Sequence, residues 1–379
     1  MNKTKILIGA VALVVAVGAV FVLQKGGDTS PDVNDVNSVE SIKIGAILPL
    51  TGDASSYGED CQRGVTLALE DAKEEYQQPI DIVFEDTKAD PKSAVSAFNK
   101  LTNLNKVQAI IGDMFSSTTL AVAPLAQQAG IILLTPTAAD EKIPATGDYI
   151  FSIYPSASSE GRFMAKSLDP QAMRRVAVLY QNQTATKAIA NAFVKAIQKR
   201  GGSVVLNESI PNEKSAYRSI MEKVAAETPT TIYLSAYRDP VALLIVMGKE
   251  MGLDVIYATQ STLYDEKALL DYPNKLDGVL ISGPYFDKGN NSETIAKFSE
   301  NYTERFSRTP SVWSAYGYDA AYILISALVK SARDGSKPQD ELSGQIFNGL
   351  TGRTEIKNDR TIEKEMVLYR VENNKFIRD

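Results

Sequence analysis

From Ser41 onward the chain alternates short runs of β-branched and aliphatic residues with longer segments whose apolar positions repeat at helical spacing. Ile42–Leu48 predicts a strand, Tyr57–Tyr76 an amphipathic helix and Asp81–Glu85 a second strand. Asp90-Pro91 sets an N-cap before a proline at the first helical position, opening a helix to about Leu104. Strand Val107–Ile111, helix Ser116–Ala129 and strand Ile131–Leu134 follow. The pattern restarts after Tyr154-Pro155, with a helix over Glu160–Leu168 and a strand over Arg175–Tyr180. Helix Ala185–Arg200 is stopped by Gly201-Gly202. Strands Ser203–Glu208, Thr231–Ser235, Asp254–Ala258 and Gly278–Ser282 then enclose helices Ser215–Glu227 and Pro240–Gly252. Helices return over Ser292–Phe306, Ser311–Ala332 and Asp340–Leu350, and Arg353–Lys357 with Met366–Val371 read as a hairpin or a paired strand set. Strand–helix alternation with crossovers this long dictates an α/β protein with parallel pairing and helices on both sheet faces. Two βα sets, with elements left over at the end, predict two lobes between which the chain passes more than once.

The first 40 residues follow a different pattern. Lys3 and Lys5 precede an unbroken apolar run from Ile6 to Leu23, closed by Lys25. Such a run approaches the roughly 20 residues that span a membrane, and the leading lysines favour a cytoplasmic N-terminus. Residues 1–25 therefore read as a membrane anchor or a signal segment. Val17-Gly18-Ala19 would permit cleavage, yet Val20–Leu23 continue the apolar run beyond it. A lipoprotein signal needs a cysteine just after the run, and the single cysteine is Cys61. Residues 26–40 are polar and acidic and read as a flexible linker. The body is thus expected outside the cytosol, anchored or released.

Length suits two domains beyond that linker. With 44% apolar and 23% charged residues the body has ordinary globular composition. One cysteine excludes an intramolecular disulfide, and Cys61 on a helix reads as a packed thiol. A net charge of −6, without basic blocks interleaved with aromatics, argues against nucleic-acid binding. Histidine is absent, which removes the commonest general base and metal ligand. No GxSxG, metal-ligand cluster or phosphate loop is present, so no enzyme and no cofactor is expected.

In an open parallel sheet, ligands bind where strands end and loops enter helices. Three such loops follow strands of the first set: Pro49–Gly58, Gly112–Thr118 and Thr135–Ala139. Ser116 and Ser117 sit at a helix start, where free N–H groups and the helix dipole suit a carboxylate. Plain N-capping, worth about 1 kcal/mol, is the alternative for either serine. Second-set loops are amide-rich: Gln181–Thr184, Ala236–Asp239 with Tyr237 as a stacking wall, and Thr259–Thr262. A small-molecule site between the sets is the reading they favour together.

These residues resemble the type I periplasmic binding proteins, and within them the leucine/isoleucine/valine-binding receptors of ABC transporters. The resemblance rests on Ile42–Leu48 with Pro49-Leu50-Thr51-Gly52 and Tyr57-Gly58, on Ile110-Ile111-Gly112 with Ser116-Ser117, and on Gly130-Ile131 through Thr135-Pro136. Gly147–Phe151, Ser159-Glu160-Gly161, Pro284-Tyr285-Phe286 and Tyr318-Asp319-Ala320 continue it in order. It implies two doubly wound parallel-sheet lobes on a three-stranded hinge, closing over a ligand: 41–156 plus about 285–345, and 157–284 plus about 346–379. It implies a ligand site at Tyr57, Phe115, Ser116, Ser117, Thr135, Thr137, Ala139, Tyr237, Gln260 and Tyr285, with the carboxylate met by Ser116 and the 135–139 turn. Ala139 replaces a threonine, Ala185-Thr186 an aromatic-glycine pair, and Gln260 the acid that pairs with a ligand ammonium. A neutral amide cannot neutralise a buried ammonium, which disfavours a zwitterion. A carboxylate without an amine, an amide or a small polar metabolite stays equally open. The implied role is capture of a small ligand by a monomeric receptor for a membrane ABC permease. A membrane-tethered sensing domain working through a signalling partner is the alternative.

Overall fold

The structure is a computed structural model that describes residues 41–286 and 293–379. The expected anchor or signal at 1–25 and linker at 26–40 lie outside the described residues. β1 (Ile42–Leu48) is buried at every position but Lys43, as a parallel strand covered by helices on both faces must be. It leads through α1 (Ser55–Tyr76), β2 (Ile80–Asp86), α2 (Pro91–Lys100), β3 (Ala109–Gly112), α3 (Ser116–Ala129), β4 (Ile132–Thr135) and α4 (Lys142–Ala145) to β5 (Ile150–Ser152). All pairings in this five-stranded sheet are parallel, in the order β2-β1-β3-β4-β5. The Asp90 side chain accepts from Ser93 N at 2.8 Å, the N-cap read from Asp90-Pro91.

A second set runs α5 (Ala157–Ser167), β6 (Val176–Tyr180), α6 (Thr184–Lys199), β7 (Val204–Ser209), α7 (Tyr217–Ala226), β8 (Thr231–Ser235), α8 (Arg238–Glu250), β9 (Ile256–Thr259), α9 (Glu266–Asp271) and β10 (Leu280–Pro284). The chain then forms α10 (Glu293–Phe306), α11 (Val312–Asp334), β11 (Gln345–Gly349), β12 (Gly352–Ile356), β13 (Ile362–Lys364), β14 (Met366–Glu372) and β15 (Lys375–Arg378). The second sheet has seven strands, ordered β15-β14-β10-β9-β8-β6-β7. It is mixed rather than wholly parallel, because β14 and β15 add antiparallel at one edge.

α11 returns to the first set and packs along α1. The two backbones approach so closely that only glycine fits at the crossing. A Cβ on Gly64 would lie 1.9 Å from the Ser314 carbonyl oxygen, and one on Gly317 2.3 Å from that of Cys61. Cys61 is fully buried in this seam, and burial pushes its thiol pKa up, as a packed rather than reactive thiol requires. Among the described residues α11 alone is long and apolar enough to cross a membrane, but 83% of its most apolar stretch is buried, so it is a core helix.

The end of the chain departs from the sequence reading. The helix expected over Asp340–Leu350 is a turn followed by β11, which pairs antiparallel with β12. Gly344 at φ 71° ends any helical course. The Asp319 carboxylate then fixes the reversal, accepting from Leu350 N at 2.8 Å and Thr351 N at 2.9 Å. Arg353–Lys357 and Met366–Val371 are strands but not each other's partners: β12 lies between β11 and β13, whereas β14 joins β10. Alternation explains the split, since Val367, Tyr369 and Val371 turn one apolar face into the second sheet's core. Residues 346–379 thus take part in two different sheets. Their first part leans on α11 and reaches Asp148 through Arg360 at 2.9 Å, and their second part extends the second sheet.

Candidate functional site

The loops after β3, β4, β8 and β9, with the segment joining β5 to α5, meet around a cavity of about 60 Å³. One water needs roughly 10–15 Å³, so there is room for several heavy atoms. Of the residues read from sequence, Tyr57, Phe115, Ser116, Thr137, Ala139, Tyr237 and Gln260 line it. Ser117, Thr135 and Tyr285 do not.

On the first-sheet side, Phe115 is extended and α3 begins at Ser116 without a side-chain cap. Ser116 Oγ accepts from Ala139 N and Asp140 N, both at 3.2 Å, so its own proton is left to donate elsewhere. Thr137 Oγ1 donates to Met114 O at 2.9 Å. Thr135 works behind the wall. Its hydroxyl donates to Asp113 O and accepts from Ala138 N at 3.1 Å, which shapes the turn that presents Thr137 and Ala139. Ser117 is the next helical residue after Ser116 and, about 100° round the helix, faces away from the cavity. Asp113 is fully buried just before this wall, and burial raises its carboxyl to about 6.

The second-sheet side brings a carboxylate to the lining itself. Glu160 on α5 is almost wholly buried, and its Oε1 accepts from Ser261 N at 2.8 Å and Ser282 Oγ at 3.3 Å. Burial raises its carboxyl while those donors pull it down. Ser235 Oγ lies 2.6 Å from Gln260 Oε1 and 2.7 Å from Thr186 O. Tyr154 hydrogen-bonds Ser261 through their hydroxyls, tying the end of the first sheet to the loop after β9.

Aromatic rings close the cavity from both sides. Phe115 meets Tyr237 edge-on at 5.5 Å, and Tyr57 meets Trp313 at 5.4 Å. Arg238, at the start of α8, lies 5.7 Å from the Tyr57 ring and pairs with Asp265 at 2.7 Å, with both side chains largely buried. Trp313 Nε1 is buried with no hydrogen-bond partner, a donor left beside the cavity.

Sequence reasoning missed Glu160, Tyr154, Trp313 and Arg238. Glu160 was visible within Ser159-Glu160-Gly161, and Trp313 as the chain's single tryptophan, but neither is near the loops in sequence. Tyr285 lies instead against Gly352 and under Arg378, at 5.6 Å. Among the described residues no group of three or more His, Cys, Asp or Glu is placed to hold a metal ion.

Known proteins share this construction. The chain is similar to a leucine-, isoleucine-, valine-, threonine- and alanine-binding protein of Pseudomonas aeruginosa, 22% identical over 83% of this chain and 85% of the relative. Its fold matches a leucine binding protein from Thermotoga maritima with a TM-score of 0.81 at 23% identity, covering 89% of this chain and 97% of that one. It equally matches a solute binding protein of an ABC transporter from Rhodopseudomonas palustris, solved with p-hydroxybenzoic acid, with a TM-score of 0.81 at 20% identity, covering 89% and 95%. Residues 41–375, nearly the whole described body, match the periplasmic binding protein family, and with two βα sheets and a cavity at their strand ends the chain belongs to that family, in its type I, leucine/isoleucine/valine-binding kind.

Proposed function

We propose that this protein is an extracytoplasmic solute receptor that holds a small carboxylate-bearing ligand in the cavity and hands it to an ABC permease. The observation that carries the reading is the cavity itself, lined by loops from the strand ends of both sheets. The 41–156 and 157–284 regions act as two lobes that close on the guest, with the later passages of the chain between the sheets as the hinge. A ligand bound to both lobes stabilises the closed form in proportion to its differential affinity, and a membrane partner reads that form. No reaction is required, and the residues do no chemistry on the guest.

Ser116 donates its hydroxyl to the ligand carboxylate, and the uncapped start of α3 adds N–H groups and a favourable dipole. Thr137 and Ala139 shape the turn beside it, with Thr135 supporting that turn and Ser117 outside the contact. Tyr57, Phe115 and Tyr237 wall in the apolar part, and Gln260 contributes an amide. Relatives named for branched-chain amino acids and one solved with an aromatic acid mark the two ligand chemistries to separate. The apolar segment at 6–23 keeps the body at the outer face of the membrane, or directs its export when removed. A thermal-shift screen of the full chain against amino acids, aromatic carboxylates, amides and sugars tests the reading. A true ligand at 100 times its Kd adds about 2.7 kcal/mol to stability, and a screen in which no compound raises the Tm would refute it.

A further inference from the structure

A second recess, of about 850 Å³, lies between α5, α6 and the start of α4, and it shares no lining residue with the cavity. Its floor is α6, where Ala188, Ala192 and Ala196 recur every fourth residue along one stripe of the helix. Small side chains there let another backbone come close. Its rim is basic. Lys187, Lys195 and Lys199 stand on the neighbouring stripe of α6 and Arg162 on α5, all of them exposed. From Lys187 to Lys199 the row runs about 18 Å at helical rise.

These cations are not neutralised within the fold. On α1, α7 and α9 an acid four residues away pairs with the cation: Glu59 with Arg63 at 2.8 Å, Glu222 with Arg218 at 3.3 Å, Asp271 with Lys267 at 2.8 Å. α6 contains no acid, and the one acid of α5, Glu160, is buried and does not line the recess. None of the four rim cations forms an ion pair with a described residue; Arg162 donates to Ser159 Oγ at 3.2 Å. Asp140 and Glu141 close one end, where Asp140 accepts from Lys142 N at 2.8 Å and Glu141 from Ser158 Oγ. Lys142 beside them offsets part of their charge, so the recess is cationic in a chain of net charge −6. Lys195 and Lys199, four residues apart, repel each other, and an acidic partner relieves that repulsion.

We propose that this recess is a second binding site, which takes an acidic amphipathic helix of a partner protein. The helix lays a narrow apolar stripe on the alanine floor and sets Glu or Asp, at four-residue spacing, against the lysine row. The proposal goes beyond capture of a small ligand and does not depend on it. A helix fits the row because its own side chains recur with the same period and rise. A flat anionic surface does not enter a recess, and a flexible polyanion gains the charges but nothing from the floor.

The test is fluorescence anisotropy of the full chain with a labelled helical peptide of about 18 residues. The peptide carries Glu at every fourth position beside a stripe of Leu and Ala. The comparisons are a scrambled peptide of the same composition, a version with Lys for Glu, and polyphosphate. The designed peptide should bind saturably, at least about tenfold more tightly than the scrambled or the lysine peptide. Raising the salt from about 50 to about 500 mM should weaken it by at least about tenfold. The triple variant K187E/K195E/K199E should lose that binding and keep the wild-type Tm, because the three side chains are exposed. Should the triple variant not fold, Lys195→Ala takes its place, with at least about threefold weaker binding expected. Absence of binding by the designed peptide overturns the proposal. So does equal binding by the scrambled peptide, tighter binding of polyphosphate, or a variant that binds the designed peptide as the wild type does.

Discussion

The two walls of the cavity are built on opposite electrostatic plans. The first-sheet wall is neutral and donating: Ser116, Thr137 and the start of α3, shaped by backbone turns that Thr135 and Ser116 themselves hold together. The second-sheet wall carries a charge: Glu160 lines it beneath Ser261, and behind it, outside the lining, Arg238 sits between Asp265 and the Tyr57 ring. The first wall can be loosened one hydrogen bond at a time. In the second, removing one member of a buried pair strands a charge. The difference teaches where a substitution costs affinity and where it costs the fold.

The sharpest break of that comparison is Arg238→Ala. It leaves Asp265 buried without its partner and Tyr57 without its cation, and urea unfolding should show a loss of about 3–5 kcal/mol. A loss under about 1 kcal/mol would mean that the pair is solvated like a surface bridge. Next comes Asp113, the buried acid behind the neutral wall. Its folded pKa of about 6 lies above the ordinary carboxylate value, so the native state binds the extra proton. Its contribution to stability is full below about pH 4 and is lost as pH rises through about 6. Asp113→Asn should therefore stabilise the protein at pH 8 by up to about 3 kcal/mol, and the gain should vanish near pH 4 in a pH series of unfolding curves.

A smaller effect is expected at Ser116→Ala. Loss of a hydrogen bond to a charged ligand group is worth roughly 1.5–3 kcal/mol, or about 10- to 100-fold in Kd by titration. Smallest is Ser117→Ala, one residue along α3 but outside the cavity, which should change ligand affinity by less than about 0.5 kcal/mol. Equal effects at the two serines would erase the distinction between lining and capping.

Much of the first wall was legible because its signals are local. A strand, a hydroxyl-rich loop and a helix start are adjacent in sequence, so the loops at 112–118 and 135–139 could be found from order, and the family resemblance pointed within them to Ser116, Thr137 and Ala139. The second wall was not, because its parts meet only through the fold. Glu160 reaches Ser261 from 101 residues away. Trp313 faces Tyr57 because Gly64 and Gly317 let α11 lie against α1, and neither glycine announces its partner. Asp340–Leu350 misled for the same reason: its apolar spacing resembled a helix, but its conformation is set by Asp319 and by pairing with β12. The apolar run at 6–23 lies outside the described residues.

Trp313 is the chain's only tryptophan and lines the cavity, so its fluorescence reports on the site directly. Titration of the full chain with the compound that raises its Tm most should give a saturable change in Trp313 emission at one ligand per protein, lost in Ser116→Ala at the same concentrations. A ligand that binds with full stoichiometry by calorimetry while leaving Trp313 emission unchanged would contradict capture between the two walls.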